Sequence, residues 1–290
     1  MQFIKKSDIN IPTRRKDSHK GDNGLVLAVG GSKDYAGAIA LAGLAALRSG
    51  CDLVKIIAPE KVAWAINAYS PDLITKKFPS EIFLPKHANI IKKEMKKFDL
   101  LLIGNGIGLK EESKKFCRKT IKDIKKPKVI DADAIKSISM DDAENSIITP
   151  HSRELEYFLL NSHIDKSIIK KINNEKNIVK KSNLIKKTTK KLLDKNSIIL
   201  LKGKLDIIIS KDRIFYVKGG NPGMTKGGTG DVLAGFCAGF LAQSKDILQS
   251  AINASYFNKK IGDILLKKKK GFTFLASDMV EEIKRIKTYS

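Results

Sequence analysis

Apolar residues in this chain fall into short runs separated by segments with helical spacing. The run "LVLAV" over 25–29 ends at Gly30-Gly31 and leads into "GAIALAGLAALRSG" over 37–50, a small-residue helical pattern that Gly50 closes. "LVKIIA" (53–58), "DLLLI" (99–103), "KVIDAD" (128–133), "SIIT" (146–149) and "SIILL" (197–201) read as further strands, with helical stretches between them. Such an alternation predicts an α/β fold whose central sheet is mostly parallel, with crossover helices on both faces. Ile178, Ile185 and Leu192 recur every seven positions, which predicts one amphipathic helix with its lysines outward. "DIIIS" and "RIFYV" meet through Lys211-Asp212 and read as a hairpin. No internal repeat or Pro/Ser-rich linker interrupts the pattern, so the expectation is one domain over 1–290.

Composition narrows the class. A chain of 290 residues, 42% of them hydrophobic, can bury a substantial core and is no disordered tail. Its longest apolar runs, such as "VLAGFCAGFLA" at 232–242, fall well short of the roughly 18 residues of a membrane span. No membrane segment is expected, and an N-terminus without an apolar stretch makes the cytoplasm the default compartment. Cys51, Cys117 and Cys237 lie too far apart in sequence to suggest a disulfide framework or a zinc spacing, and read as packing residues. The formal charge of +24 invites a nucleic-acid reading, but the lysines are dispersed among Ile and Asn with few aromatics between them. A compositional bias displayed on solvated helix faces explains them better, and it leaves a general attraction for anions such as nucleotides.

Ligands of open parallel sheets bind beyond the carboxyl ends of the strands. The unusual residues collect there: Gly30-Gly31-Ser32, "GNGIG" (104–108), "DADA" (131–134), "TPHSRE" (149–154) and "KGKLD" (202–206) each follow a strand. The stretch "NPGMTKGGTGDVLAGF" (221–236) adds a glycine loop before an apolar helix. Gly227, Gly228 and Gly230 let backbone N–H groups approach a ligand closely at a helix N-terminus, which makes an anion hole. It is neither a Walker P-loop nor a Rossmann glycine fingerprint. Asp231 inside it is open to two readings: a helix cap, or a base that takes a proton from a substrate hydroxyl as a phosphoryl group arrives.

These residues carry a resemblance. "NPGMTKGGTGDVLAG" resembles the signature of the ADP- or ATP-dependent NAD(P)H-hydrate dehydratases of the ribokinase-like superfamily, and the segment from "HKGDNGLVLAVGGSKDYAGAIALAGLAALRSGCDLVKI" through "GNGIG", "VIDADAI", "TPHSRELEYF" and "LLKGKLDII" follows the family order. It spans nearly all of the chain from about His19 to Phe257. The resemblance implies a three-layer α/β/α fold and repair of hydrated NADH or NADPH: a nucleotide phosphorylates the hydroxyl on the hydrated ring carbon, and loss of phosphate restores the double bond. It places Ala38, Gly106, His151 and Asp231 against the hydrated dinucleotide, with Asp231 catalytic. It places Lys202, Gly203, Lys204, Leu205 and Asp206 against the phosphoryl donor. Asn221, Thr225, Gly227, Gly228, Thr229 and Gly230 complete the nucleotide set. ADP is the expected donor, with ATP as the other choice; Mg²⁺ is the expected cofactor and a homotetramer the expected assembly. The N-terminal epimerase domain that some relatives carry is not expected, since the first strand begins near Leu25.

Two positions depart from the family pattern. Lys226 stands where many relatives have a small residue before the double glycine, and Asp206 where a Thr is common after the Lys-Gly pair; donor contacts are expected to differ there. His151 is read as substrate-binding rather than as an ordinary loop histidine, because it follows a strand end beside Pro150 and Glu154. Asp131 and Asp133 are read either as capping or structural carboxylates or as groups that organise Mg²⁺ near the phosphates, without a direct metal contact. His19, His87 and His163 have no partner pattern and receive no role. A small-molecule kinase of the hydroxyethylthiazole type is the alternative enzyme, sharing the anion hole and the base; a nucleic-acid-binding protein is the alternative outside catalysis.

Overall fold

The computed structural model describes residues 1–285. Ten strands form one sheet: β1 (Gln2–Phe3), β2 (Leu25–Val29), β3 (Leu53–Pro59), β4 (Ile74–Phe78), β5 (Leu100–Ile103), β6 (Lys128–Ile130), β7 (Ser146–Ile148), β8 (Ile198–Leu201), β9 (Asp206–Ile209) and β10 (Ile214–Val217). Their order is β1-β10-β9-β8-β7-β6-β5-β2-β3-β4, and β9 alone runs against the others. The hairpin between β9 and β10 forms as the sequence predicts, with Ile214 opposite Ile209.

The parallel strands are short apolar runs because both of their faces are covered. On β2, Val26 and Ala28 join one hydrophobic cluster with the helices Ala36–Arg48, Glu60–Tyr69, Thr229–Ser244 and Ile247–Lys268, whereas Leu27 and Val29 join a second with Glu111–Asp123, Ser152–Asn161 and Ile178–Thr188. Three layers result. Cys51, Cys117 and Cys237 are free and buried within them.

Local chemistry moves some boundaries. The seven-residue repeat does not make a single helix: Ile178–Thr188 ends, and a short turn Lys190–Leu193 follows. Thr189 sits at the break, its hydroxyl donating to the Ile185 carbonyl at 2.8 Å, a back-bond that competes with continued helix. Ile185 and Leu192 nonetheless face the core. The strand at "KVIDAD" stops at Ile130, because the Asp131 side chain turns into a polar cluster described below and a short helix Ala132–Ile135 follows. Edge strand β4, "ITKKF", has two lysines in a half-buried run, the composition by which an exposed edge resists further pairing and also the reason its pattern is hard to read as a strand.

Among the described residues the most extensive helix contact lies between Ala36–Arg48 and Thr229–Ser244, both rich in small residues. A Cβ at Gly235 would lie 2.2 Å from the Ala42 carbonyl oxygen and 2.6 Å from the Ala45 Cβ. In an isolated helix Gly235→Ala would gain about 1 kcal/mol of propensity. Here the added carbon must push two helix backbones apart, so a net loss of about 1–3 kcal/mol is expected from overpacking. Chemical denaturation of the variant checks the sign, and an unchanged or raised midpoint would show that the helices are not held at this distance.

Candidate active site

Strand order fixes where a ligand can enter. The chain runs from β2 outward through β3 and β4, then returns to lay β5 on the other side of β2, so the order reverses between β2 and β5. A crevice opens at such a switch point, beyond the carboxyl ends of the strands. The Gly30–Tyr35 turn forms one lip and "GNGIG" the other, tied by the Gly31 N–H donating to the Asn105 carbonyl at 2.9 Å. Gly106 lies against Tyr35 and Ala38: a Cβ on it would stand 2.8 Å from the Tyr35 Cβ and 3.3 Å from the Ala38 Cβ.

A polar cluster occupies the floor beside this crevice, assembled from the ends of β5, β6, β7 and β8 and the helix Thr229–Ser244. The Asn105 Nδ2 donates to both Asp231 Oδ1 at 2.7 Å and Asp131 Oδ2 at 3.0 Å. Asp131, only 1% exposed, also accepts from the Thr149 hydroxyl at 2.7 Å and from Lys202 Nζ at 2.9 Å. Lys202 Nζ lies 3.6 Å from Glu154 as well. Burial works against the Lys202 ammonium, but Asp131 and Glu154 outweigh it and hold the group protonated well above its ordinary range. Asp133 accepts from the Gly108 N–H and from Lys136, both at 2.9 Å.

Asp231 is not a cap. The cap position of its helix is Gly228, in the left-handed region at φ +91°, and no side chain caps that end. A Cβ at Gly228 would stand 2.8 Å from both Leu41 and Ala276, so only glycine closes the loop at this point. Asp231 therefore sits in the first helical turn with its carboxylate aimed at the cluster. Burial, and behind it the charge of Asp131, push its carboxyl up to about 7, against the Asn105 hydrogen bond and the Lys202 charge. A carboxyl titrating there can exchange a proton at neutral pH.

The other sequence-predicted residues divide into two groups. Gly230 comes within reach of the cluster: a Cβ on it would lie 3.4 Å from Lys202 Nζ, and as the second helical residue its N–H has no intrahelical acceptor. Lys202, Gly203, Lys204 and Leu205 line a cavity of about 560 Å³, walled opposite by Lys218, Gly219 and Gly220. Gly227 is open, with no atom within 4 Å of a Cβ placed there. Elsewhere side chains are committed internally. Asn221 accepts from the Gly223 N–H and donates to the Gly262 carbonyl, Thr225 donates to the Pro222 carbonyl, and the Thr229 hydroxyl donates to the Met224 carbonyl at 2.6 Å. Asp206 points inward, 2% exposed. Lys226 donates to the carbonyls of Phe272 and Phe274, tying the glycine loop to the segment before Ala276.

His151 has a structural task. Its Nδ1 accepts from the N–H groups of Arg153 and Glu154, capping the helix Ser152–Asn161, while its Nε2 lies 3.6 Å from Glu154. Burial holds its imidazole below the ordinary value despite the Glu154 charge, so it is neutral at pH 7. Asn105, Thr149 and Glu154 belong to the cluster without having been assigned roles from sequence. For Asn105 the signal was available: an amide between two glycines at a strand end.

Among the described residues, the four carboxylates Asp131, Asp133, Glu154 and Asp231 gather in this region with the ammonium groups of Lys202 and Lys136. The Asn105 Oδ1 is buried with no hydrogen-bond partner. An excess of hard oxygen donors and negative charge fits Mg²⁺. Among the described residues no three His, Cys, Asp or Glu converge as a metal-binding group, so the fit is to an ion that retains other oxygen ligands. No helix among the described residues is long and apolar enough to cross a membrane.

The family model described as NAD(P)H-hydrate dehydratase matches residues 26–285. A bifunctional NAD(P)H-hydrate repair enzyme of Methanothermobacter thermautotrophicus is 37% identical over 95% of this chain and 52% of its own length. The chain spans about half the length of the bifunctional relatives it matches. An ADP-dependent (S)-NAD(P)H-hydrate dehydratase of Cenarchaeum symbiosum is 34% identical over 87% of this chain and 85% of its own. Among solved structures, a ribokinase-like superfamily protein of Enterococcus faecalis superposes with a TM-score of 0.81 at 26% identity, covering 100% of this chain and 96% of that one. The ADP/ATP-dependent NAD(P)H-hydrate dehydratase of Bacillus subtilis, co-crystallised with ATP and Mg²⁺, superposes at 0.74 with 24% identity, covering 95% and 92%. With the glycine loop, the strand-end cluster and the ribokinase-like sheet all in place, this chain belongs to the NAD(P)H-hydrate dehydratase family.

Proposed function

We propose that the chain is a single catalytic domain that restores hydrated NADH and NADPH, using a nucleotide, ADP in preference to ATP, as phosphoryl donor. The observation that carries this reading is Asp231, poised at about 7 in the first turn of a buried helix, beside an anion-binding glycine loop and the cationic Lys202. The hydrated ring enters the crevice at Ala38 and Gly106, and the donor lies in the cavity behind Lys202. As the ring hydroxyl oxygen bonds to the terminal phosphorus, the bridging oxygen bond of the donor breaks and the hydroxyl proton passes to Asp231. Phosphate then leaves with the ring C–O electron pair, and loss of a proton from the neighbouring carbon closes the double bond. The free N–H of Gly230 and the Lys202 ammonium face the charge that builds on the phosphoryl oxygens. Asn105 and Asp131 would hold a Mg²⁺ ion arriving with the donor phosphates, and that ion would neutralise part of their charge. A homotetramer in the cytoplasm completes the reading.

Incubating the chain with hydrated NADPH, Mg²⁺ and ADP or ATP is expected to restore absorbance at the dihydronicotinamide band with stoichiometric release of phosphate. Accumulation of a stable phosphate ester would replace this reading by the kinase one.

Asp231 yields a double signature. Turnover is expected to rise with pH through about 7, and Asp231→Asn to lose about 10²-fold or more of it. A carboxyl raised from about 3.9 when unfolded weakens the fold as pH climbs from there to its folded value. Asp231→Asn should therefore melt no lower than wild type at about pH 8, with any advantage vanishing by about pH 4. An active variant, or one that melts early at alkaline pH, contradicts the assignment.

Gly230→Ala tests the anion hole, whereas any side chain at Gly228, with its left-handed backbone and close neighbours, would strain the fold itself. The Gly230 Cβ meets nothing nearer than Lys202 Nζ, so the melting temperature should hold or rise. Donor affinity should fall about tenfold, or about 1.4 kcal/mol, as read by calorimetric titration with ADP.

A further inference from the structure

The two walls of the 560 Å³ cavity come from separate parts of the chain. One is the turn Lys202–Leu205 between β8 and β9; the other is Gly219–Gly220, just after β10. Both rest on one helix, Ile247–Lys268. Lys259 on that helix is 6% exposed, and its Nζ donates to the Gly203 carbonyl at 2.5 Å and lies 3.1 Å from Asp206 Oδ1. Asp206 in turn accepts from the Gly203 N–H at 3.0 Å and from the Ser255 hydroxyl at 2.9 Å. Gly203 is thus held at both its N–H and its carbonyl by a buried ion pair.

The second wall is fixed from the same helix one turn on. Asp263 accepts from the Gly220 N–H at 3.1 Å, and the Lys259 stem runs so close beneath Gly220 that a Cβ there would stand 2.8 Å from its Cδ. The spacing between the walls is therefore set by Lys259, whose stem supports one and whose ammonium grips the other. A buried ion pair is a poor source of net stability, because desolvation offsets attraction, and it is better suited to fixing a geometry.

We propose that Asp206 and Lys259 are positioning residues that set the width of the donor cavity and so the affinity for the nucleotide, without touching it. The proposal rests on the reading of that cavity as the donor site. It also gives a physical sense to the acid at 206, which stands where a Thr is common in the family: the acid fixes the Lys-Gly turn from below through its partner Lys259.

The test uses four proteins: wild type, Asp206→Asn, Lys259→Met and the double variant. Each is titrated calorimetrically with ADP in Mg²⁺, melted, and assayed for the KM of hydrated NADPH. Lys259→Met strands a buried carboxylate and is expected to melt markedly lower. The double variant buries no charge and should melt close to wild type. Its ADP dissociation constant should nevertheless rise about tenfold, because the Gly203 carbonyl is no longer gripped from the long helix, with the KM for the hydrate unchanged. Asp206→Asn keeps one acceptor, for the Gly203 N–H, and turns the other oxygen into an amide donor facing the Ser255 hydroxyl, so it should show the same donor-selective loss, smaller in size. A wild-type ADP constant in the folded double variant overturns the proposal, and if that variant does not fold, a wild-type constant in Asp206→Asn does so. Wild-type protein that binds no ADP overturns the donor reading and this proposal together, a result distinct from tight ADP binding in every variant.

Discussion

The packing of the helix Thr229–Ser244 on Ala36–Arg48 governs this molecule. Twelve of the sixteen residues in the later helix are buried, so it has no freedom to slide or tilt once Gly235 and Gly239 lie against the Ala42 and Ala46 carbonyls. Its N-terminus must then end where the strands end. That places the unbonded Gly230 N–H and the Asp231 carboxylate over the tips of β5, β6 and β8, near Lys202. The loop leading in has to turn sharply, and Gly228 at φ +91° does so in a space where a Cβ would collide. The anion hole is a consequence of a packing constraint far down the helix.

The same placement creates the electrostatics. In a site open to water, Asp231 would be an ordinary carboxylate. Here burial and Asp131 raise it to about 7, while the Asn105 amide orients it and Lys202 keeps the cluster from carrying too much negative charge. A raised carboxyl costs stability at neutral pH, and the small-residue helix pairing offsets that cost elsewhere in the fold. Asp131 is the hinge of this arrangement, since it accepts from Thr149, Asn105 and Lys202 together.

Charged pairs serve a second purpose away from the chemistry. Lys226 ties the glycine loop to the Phe272–Phe274 carbonyls, and Asp206 with Lys259 ties the Lys202–Leu205 turn to the long helix behind it. The Lys226 and Lys259 ammonium groups donate to backbone carbonyls of a neighbouring loop, and the Asp206 carboxylate accepts from the Gly203 N–H and the Ser255 hydroxyl, rather than facing solvent.

By itself the sequence determined the layer order and the site's address. Apolar runs of four or five residues ending in glycine, Asp or Lys-Gly can only be buried parallel strands with polar ends, because periodicity and burial are local properties of the chain. It therefore located β2, β3, β5, β7, β8, the β9–β10 hairpin and the Gly-Thr-Gly-Asp loop before any coordinates. Edge strand β4 was illegible, since a half-buried run with two lysines has no clear pattern, and the seven-residue repeat over 178–192 concealed the break at Thr189. Tertiary structure alone decided which side chains meet. That Asp231 accepts from Asn105 rather than capping its helix, and that Asp206 turns inward to Lys259, are outcomes of contacts between residues far apart in sequence, whereas the His151 cap through Nδ1 is a local bond to the next helical turn. Sequence spacing contains no distance between such groups, and their pKa values and hydrogen bonds depend on that distance and on the burial around it.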